Sequence, residues 1–433
     1  MKVIEFPPRE TWPGLLERPS QNAKDIAAAV EEIIETVRRD GDEALRSYGE
    51  KFDGLRPDKV SVSEAEFDDA CSSVTKELQT AIAVAKTNIE RFHRATVSTD
   101  REIETTPGVL CWSRTIPIER VGLYIPAGSA PLFSTVLMLA IPARIAGCHE
   151  VILCSPPNAD GVIDPATLYA ARLCGVEKVF KVGGAQAIAA MALGTATVPR
   201  VDKIFGPGNR YVTEAKLQVM RLGTTIDMAA GPSELAVLAD ETCVPTFVAA
   251  DLLSQAEHGA DSQVLLVSNS AGIVASVVAE IDKQLLQLPR AAIAQAALEN
   301  SKAIVVASIE EGVDLVNQYG PEHLVIATRD ADTYAGAIIN AGSIFLGNFS
   351  CESAGDYASG TNHTLPTNGS ARGSGGLSLS SFMKTITLQR LTRTGIENLG
   401  PVIETMAAAE GLEAHRRAVA IRREWTGGDN SGV

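Results

Sequence analysis

The stretch VGLYIPAGSAPLFSTVLMLAIPARIAGCHEVILC, residues 121–154, contains one complete strand–helix–strand pattern. Residues 121–125 and 151–154 are short apolar runs of strand length, while residues 132–147 have the length and composition of a buried helix. A Gly/Pro-rich loop separates the first strand from the helix. Strands that are joined through a helix pair in parallel, so this stretch predicts an α/β fold.

The same alternation continues along the chain in two batches. The first batch adds strands at 178–182 and 201–205, and the second has strands at 235–238, 263–267, 303–306, 324–328 and 343–346. Helical segments lie between them at 165–175, 185–193, 210–221, 245–258 and 273–288. A Gly-Pro-Ser loop at 231–233 separates the batches. We therefore predict two α/β units with mainly parallel sheets, preceded by about a hundred helical residues. A C-terminal helix is expected at 401–425, with Gly411 in its middle.

The composition excludes several classes of protein. The length of 433 residues suggests about three domains. Lys and Arg number 38 against 53 Asp and Glu, and this balance of −15 argues against nucleic acid or an anionic membrane surface as a partner. The N-terminus has no apolar export segment, and prolines and glycines interrupt the uncharged run 121–143. The seven cysteines lack CxxC pairing, which is typical of reduced thiols in a cytoplasmic protein.

Gln255 and His258 are the first candidates for chemistry. They stand three positions apart near the end of a predicted helix that Gly259 closes, so both side chains leave from one face. Such a pair is half of a metal site, but for the pair alone a helix C-terminus with a favourably placed histidine is the better interpretation. Asp356 and His415 are further ligands that zinc accepts, and they strengthen the metal hypothesis.

Two further pairs combine a carboxylate with an imidazole. Glu322 and His323 lie at the entry to a predicted strand, where they could act as proton acceptors or form a solvated turn, with even weight for both. Glu410 and His415 are five positions apart, so an unbroken helix could not aim both at one point. A break at Gly411 would allow it. The polar segment 348–376 also carries His363 beside Asp356.

Two glycine loops follow strands and open helices. Gly183-Gly184-Ala185-Gln186 and Gly206-Pro207-Gly208-Asn209 are each expected to turn free backbone N–H groups toward an anion or a nucleotide. Neither is the G-x-G-x-x-G fingerprint, and strand–Gly–helix turns are common in α/β proteins. The dinucleotide signal from the residues alone is therefore weak.

Seven blocks of the sequence together resemble the histidinol dehydrogenase family. They are VGLYIPAGSAPLFST (121–135), VGGAQAI (182–188), FGPGN (205–209), AGPSE (230–234), DLLSQAEHG (251–259), YGPEHL (319–324) and SAGDYASGTNH (353–363). The likeness runs in order over nearly the whole chain. One departure is Ala127, where the family pattern often has glycine; the extra methyl would cost stability if the position needs a positive φ.

The resemblance implies an enzyme that oxidises L-histidinol through L-histidinal to L-histidine, with two hydride transfers to NAD and one zinc ion per subunit. It implies zinc ligands at Gln255, His258, Asp356 and His415, and proton transfer by Glu322 and His323. Substrate contacts would come from Ser233, His363 and Glu410 together with His323 and the zinc ligands. The NAD site would be lined by Tyr124, Gln186 and Asn209.

The resemblance also implies a particular architecture: two incomplete Rossmann-like domains, one inserted in the other, with small helical N- and C-terminal dimerisation segments. The expected boundaries are an N-terminal segment 1–17, a first domain 18–123 and 234–377 with most zinc and catalytic residues, an inserted NAD-binding domain 124–233, and a C-terminal segment 378–433. The C-terminal piece with His415 would cross to the other subunit of a homodimer, so that each zinc site is shared.

Three alternatives remain open at this stage. The chain could oxidise a different small alcohol with NAD. The same ligands with Glu322 could form a metal-assisted hydrolase that uses bound water. A zinc-stabilised binding protein without activity is the third possibility, although it leaves Glu322 and His323 without a role.

Overall fold

The computed structural model describes residues 1–19, 23–97, 101–127, 131–229 and 231–426. The strands within these ranges are β1 Lys2–Glu5, β2 Glu102–Thr106, β3 Val109–Pro117, β4 Arg120–Tyr124, β5 Glu150–Ser155, β6 Lys178–Lys181, β7 Lys203–Phe205, β8 Thr225–Ile226, β9 Glu234–Ala239, β10 Gln263–Ser268, β11 Lys302–Val305, β12 His323–Ala327, β13 Ser343–Leu346 and β14 Met383–Leu391.

The α-helices within the same ranges are α1 Trp12–Leu15, α2 Ala23–Asp40, α3 Asp42–Tyr48, α4 Glu64–Ser73, α5 Lys76–Ala95, α6 Ser134–Ala146, α7 Pro165–Leu173, α8 Gly184–Leu193, α9 Arg210–Met220, α10 Pro245–Ala256, α11 Ala271–Leu285, α12 Ala291–Glu299, α13 Ile309–Tyr319, α14 Ala331–Ala335, α15 Glu352–Tyr357, α16 Arg393–Ala409 and α17 Glu413–Glu424. Among the described residues, no helix has both the length and the apolar character that a membrane crossing needs.

The chain divides into two compact units. The first comprises residues 1–96 and 118–382, and the second comprises residues 97–117 and 383–433. Both parallel sheets belong to the first unit. The predicted α/β class with mainly parallel sheets is therefore confirmed.

The five-stranded sheet of the first unit has the order β6-β5-β4-β7-β8, and every neighbouring pair is parallel. Its central strands β4 and β5 are buried and mainly apolar after a charged first residue, because helices cover both faces, as parallel strands require. Gly122 on β4 lets α8 pack closely, since a Cβ there would lie 2.6 Å from the Met191 Sδ. Ala127, just after β4, lies outside the left-handed region, so its methyl group brings no backbone strain.

The six-stranded sheet of the first unit has the order β1-β11-β10-β9-β12-β13 and is also parallel throughout. β9, β10 and β12 are buried from end to end and form the middle of the core. β1 was not predicted, because four residues with a charge at each end give too short a pattern. It forms one edge of the sheet, where it pairs with β11.

The second unit contains an antiparallel sheet in the order β14-β3-β2 and a pair of helices, α16 and α17. The prediction of one helix over 401–425 is wrong. α16 begins earlier, at Arg393, and ends at Ala409, and Gly411 has a φ of +71° between the two helices. A left-handed residue cannot continue an α-helix, so the chain turns there. The predicted break at Gly411 is therefore confirmed.

Candidate active site

A cluster of buried polar side chains lies at the amino-terminal edge of the six-stranded sheet. Glu322 immediately precedes β12, His323 is its first residue, and Ser233 immediately precedes the neighbouring β9. The helix that follows a parallel strand runs back across the sheet, so the end of α10 returns to this edge with Gln255. α15 packs against α10 and β12, and it brings Glu352 and Asp356.

Glu322 is fixed by its backbone neighbours. Its Oε2 accepts a hydrogen bond of 2.8 Å from the backbone N–H of Glu234, the first residue of β9. The side chain is buried, and burial raises the pKa of Glu322 to about 8, an effect that the nearby carboxylates of Glu234 and Asp356 increase and that His323 opposes. Such a carboxyl group can exchange a proton near neutral pH.

His323 stands between two carboxylates. Its Nδ1 lies 3.2 Å from the carbonyl oxygen of Glu234, to which it donates when protonated, and 3.7 Å from the Glu322 Oε2. Its Nε2 lies 3.4 Å from the Asp356 Oδ1. Burial alone would lower the pKa of His323, but the carboxylates of Glu322 and Asp356 outweigh it and raise the pKa to about 10.

Glu352 joins this cluster, and the sequence analysis missed it. His323, Glu352 and Asp356 each offer a ligand atom, and these atoms all lie within 4.8 Å of one another. Glu352 and Asp356 are four residues apart on α15, which places both on one helix face. That spacing was visible in the sequence, but no helix was predicted within the Gly- and Ser-rich segment 348–376.

Gln255 is the buried amide of the site. It is fully buried, and neither its Oε1 nor its Nε2 has a hydrogen-bond partner. His258 follows α10, and its backbone N–H donates to the backbone oxygen of Gln255 at 3.3 Å. The residue is open to solvent, yet the surrounding protein and the rings of His323 and His363 lower the pKa of His258, while Asp356 opposes them.

Most of the unpartnered buried atoms at this edge fit a cation. The acceptors among them are the Oε1 of Gln255, the Nε2 of His323, the Oε1 of Glu352 and the Oδ1 of Asp356, whereas the Nε2 of Gln255 is a donor. Buried polar atoms normally have hydrogen bonds, so several that converge without one mark a place where a ligand completes them. Imidazole and carboxylate are ligand types that zinc accepts. Asp356 is common to this cluster and to the ligand set that the resemblance implies.

His363 adds a directed imidazole beside Asp356. Its Nδ1 donates to the backbone oxygen of Asp356 at 2.9 Å, which leaves Nε2 as the acceptor, 3.3 Å from the Thr135 hydroxyl. Burial is the main cause that lowers the pKa of His363. The ring is therefore held in one tautomer with its orientation fixed.

The three predicted NAD contacts lie at the carboxyl-terminal edge of the five-stranded sheet. Tyr124 ends β4, Gln186 is buried in the first turn of α8, and Asn209 is the N-cap of α9. The expectation of free N–H groups in these loops is wrong in three places, the first of which is the Gly206 N–H, which donates to the Asp227 Oδ2 at 2.8 Å. The Tyr124 hydroxyl accepts from the Gly184 N–H at 3.0 Å, and Asn209 accepts from the first-turn N–H groups of α9.

Glu410 and His415 lie in the second unit. Glu410 is the C-cap of α16, and His415 is in the first turn of α17, with Gly411 between them. Both side chains are exposed. Ser233, in contrast, is half-buried in the first unit, and its backbone oxygen accepts from the Gln263 N–H at 3.2 Å.

Two all-parallel sheets and a buried cluster of acids and imidazoles define an α/β protein with the polar chemistry of an enzyme site. Comparison with known proteins gives the family. Residues 16–423 match the family model described as histidinol dehydrogenase. The chain therefore belongs to the histidinol dehydrogenase family, and the resemblance seen in the sequence is confirmed.

Individual relatives cover almost the whole chain. The histidinol dehydrogenase of Bacteroides fragilis is 53% identical over 424 residues, which are 98% of this chain and 99% of that protein. The enzyme of that name from Xylella fastidiosa is 52% identical over 426 residues, again 98% and 99%. The crystal structure of histidinol dehydrogenase from Elizabethkingia anophelis superposes with a TM-score of 0.96 at 52% identity and covers 98% of each chain.

Proposed function

We propose that this protein is a zinc-dependent, NAD-linked oxidoreductase that converts L-histidinol through L-histidinal to L-histidine, the last steps of histidine biosynthesis. Family membership supports the substrate. The observation that carries the chemistry is the buried Glu322–His323 pair beside Asp356, at the same edge of the sheet as a Gln255 amide and a Glu352 carboxylate oxygen that have no hydrogen-bond partner.

The proposed zinc ligands are Gln255, His258, Asp356 and His415. Two of these four assignments are supported by buried atoms without a hydrogen-bond partner, namely the side-chain amide of Gln255 and the Oδ1 of Asp356. When bound, zinc would orient the imidazole and amino groups of the substrate and would offset the negative charge of the surrounding carboxylates.

The proposed proton carriers are His323 and Glu322. Oxidation of the alcohol removes its hydroxyl proton and transfers a hydride to NAD. His323 is proposed to accept that proton in its neutral form, which a bound zinc ion would favour by offsetting the carboxylate charge that raises the pKa of His323. The aldehyde must add water before a second hydride can leave. Glu322 is proposed to take the proton from this water, because burial raises the pKa of its carboxyl group to about 8, close to neutral pH.

The remaining side chains are proposed to position the substrate and the cofactor. Ser233, His363 and Glu410 would contact L-histidinol, with a carboxylate for its ammonium group. Tyr124, Gln186 and Asn209 would line the NAD site. Tyr124 and Asn209 already bond backbone N–H groups, so their role would include holding the loops that face the cofactor.

The architecture that we propose is the one the family resemblance implies. An NAD-binding domain at 124–233 would be inserted in a first domain at 18–123 and 234–377, with terminal segments 1–17 and 378–433. The protein would be a homodimer in which His415 and Glu410 serve the site of the other subunit.

NADH absorbance is the decisive test of the activity. The purified protein with zinc and NAD should reduce NAD when L-histidinol is added and should form two NADH per histidinol. Reduction with other small alcohols but not with histidinol would indicate a different substrate. The absence of reduction with any alcohol would leave a hydrolase or a binding protein.

Zinc content tests the ligands. His258→Ala should lose zinc and activity together while the fold is retained, because each parallel sheet has its own core. Elemental analysis of the purified variant measures this. Full zinc content with lost activity would make His258 a substrate contact and not a ligand.

Mixing two inactive variants tests the shared site. In a heterodimer of His258→Ala with His415→Ala, a site built from two chains collects both defects in one pocket and leaves the other intact, so activity should return. An inactive mixture, with heterodimer formation shown independently, would contradict the shared site.

A further inference from the structure

The amino-terminal edge of the six-stranded sheet contains a cluster of buried carboxyl groups without a basic side chain of lysine or arginine beside them. Asp251, Glu322, Glu352 and Asp356 are all buried there. Among the described residues, no lysine or arginine forms an ion pair or a hydrogen bond with any of the four. Their charged neighbours are histidines and each other. Buried carboxyl groups are stabilised either by a proton or by a bound cation, and a cation from outside the chain could serve several of these four at once.

Three of these four carboxylates have a task that the structure or the proposed chemistry explains. Asp251 accepts the backbone N–H of Glu352 at the start of α15. Glu322 accepts the Glu234 N–H and belongs to the proposed proton carriers. Asp356 faces His323 and is a proposed zinc ligand. Glu352 has no assigned role, although its exposed fraction is only 1%.

Glu352 is held in position by Ser254. The Ser254 hydroxyl lies 2.6 Å from the Glu352 Oε2 and 2.8 Å from the backbone oxygen of Asp251, and it can donate its single proton to one of them at a time. The other carboxylate oxygen, Oε1, is buried without a partner. One oxygen is therefore anchored on α10, and the other remains available to a ligand.

Two helix faces meet around this oxygen. On α10 and the residues after it, Asp251, Ser254, Gln255 and His258 follow at intervals of three, one and three residues, which is one face of a helix. On α15, Glu352 and Asp356 share a face. Ligand atoms of Glu352, Asp356 and His323 lie within 4.8 Å of one another. A cation bound to Asp356 would thus have a carboxylate oxygen of Glu352 close to it.

We infer that Glu352 is a further cation-binding side chain of the metal site, with Ser254 as its positioning residue, and that its negative charge strengthens the binding of a divalent ion before any substrate is present. This inference rests on the proposed function, because it assigns a residue to the same zinc site. It adds a residue that the family resemblance did not indicate.

The test is zinc affinity without substrate or NAD. Metal-free protein is titrated with zinc in competition with a chromogenic chelator, for the unchanged chain and for Glu352→Gln. The amide keeps the size of the side chain and can still accept from Ser254, while the charge is lost. We expect zinc affinity to fall by about 10–100-fold, the usual effect of removing a charged group next to a metal. Ser254→Ala should weaken zinc binding by a smaller factor.

Glu35→Gln is the matched control, because it removes one acidic charge from an exposed position on α2 and should leave zinc affinity unchanged. Unchanged zinc affinity in Glu352→Gln would overturn this inference and would leave the proposed function standing. A reduced histidinol affinity with normal zinc affinity would overturn it too, since Glu352 would then be a substrate contact. Failure of the unchanged chain to bind zinc would overturn the metal part of the proposed function and this inference with it. If Glu352→Gln does not fold, unchanged zinc affinity in Ser254→Ala decides against the inference.

Discussion

Two buried polar clusters, one beside each parallel sheet, differ in whether the chain itself satisfies their hydrogen bonds. At the carboxyl-terminal side of the five-stranded sheet, Asp227 accepts from the Gly206 and Met228 N–H groups and forms an ion pair with buried Lys216. Lys216 also donates to the Gly206 backbone oxygen at 2.8 Å. At the amino-terminal edge of the six-stranded sheet, Gln255, Glu352 and Asp356 keep unpartnered atoms.

This difference separates a structural polar cluster from one that demands a ligand. Where every donor and acceptor is satisfied within the chain, the group stabilises one conformation, and removing a member leaves its partner buried and unpaired. Where atoms remain unsatisfied, the chain holds a conformation that a ligand completes. Substitutions at the two places should therefore affect different properties, namely folding stability at the first and activity at the second.

The largest effect is expected for His323→Ala. Activity should fall by about 10²–10⁴-fold with histidinol and with histidinal alike, because a hydroxyl proton leaves in each oxidation and general acid–base groups contribute on that scale. The urea midpoint should fall less than in Lys216→Met, because Glu322 and Asp356 can take up a proton when the charge of the imidazole is removed. Single-turnover rates of NADH formation and urea unfolding measure the two properties. An equally large loss of stability would contradict the division between the two edges.

Lys216→Met should have the largest effect on stability. It removes one partner of an ion pair whose side chains are both 1% exposed, so Asp227 stays buried without its cation, at a cost of about 3–5 kcal/mol of unfolding free energy. Urea denaturation of the unchanged chain and the variant measures it. Lys283→Met is the control, because Lys283 pairs with Glu280 on the surface and its loss should cost at most about 1 kcal/mol. A similar cost for both would show that the buried pair stabilises no more than a surface pair.

Glu322→Gln should separate the two oxidations. The amide cannot accept a proton from water, so histidinal oxidation should slow by about 10²-fold, whereas histidinol oxidation should change much less. Single turnovers started from each compound give the comparison. Equal losses in both would refute the separate roles of Glu322 and His323, although not the activity itself.

The smallest effect is expected for Tyr124→Phe. The lost hydroxyl leaves the Gly184 N–H without its acceptor, which costs about 1 kcal/mol of unfolding free energy. The KM for NAD should rise as well if the loop at Gly184 faces the cofactor. Tyr169→Phe on α7, a half-buried tyrosine, is the control and should leave the KM for NAD unchanged. An unchanged KM in Tyr124→Phe would remove Tyr124 from the proposed NAD contacts.

The sequence by itself determined the α/β class and most of the parallel strands. Runs of apolar residues alternating with helical segments depend on local burial, and burial leaves a periodic trace in the sequence. The break at Gly411 was also predictable from the sequence, because the positive φ that glycine tolerates is a local property of that residue. The antiparallel β2, β3 and β14 were not predicted: β2 and β14 are mostly exposed, β3 is mostly half-buried, and β14 pairs with β3 over a long separation in the chain.

The family, too, could be identified from the sequence, because its seven blocks are long and occur in order. Which buried atoms lack a partner, in contrast, was decided by the tertiary structure alone. Glu352 came to the site only through α15, a six-residue helix inside a segment with the composition of a linker. The Gly184 N–H is taken by a tyrosine sixty residues away in the chain. Hydrogen-bond satisfaction is a property of three-dimensional neighbours, and residue order along the chain carries little of it.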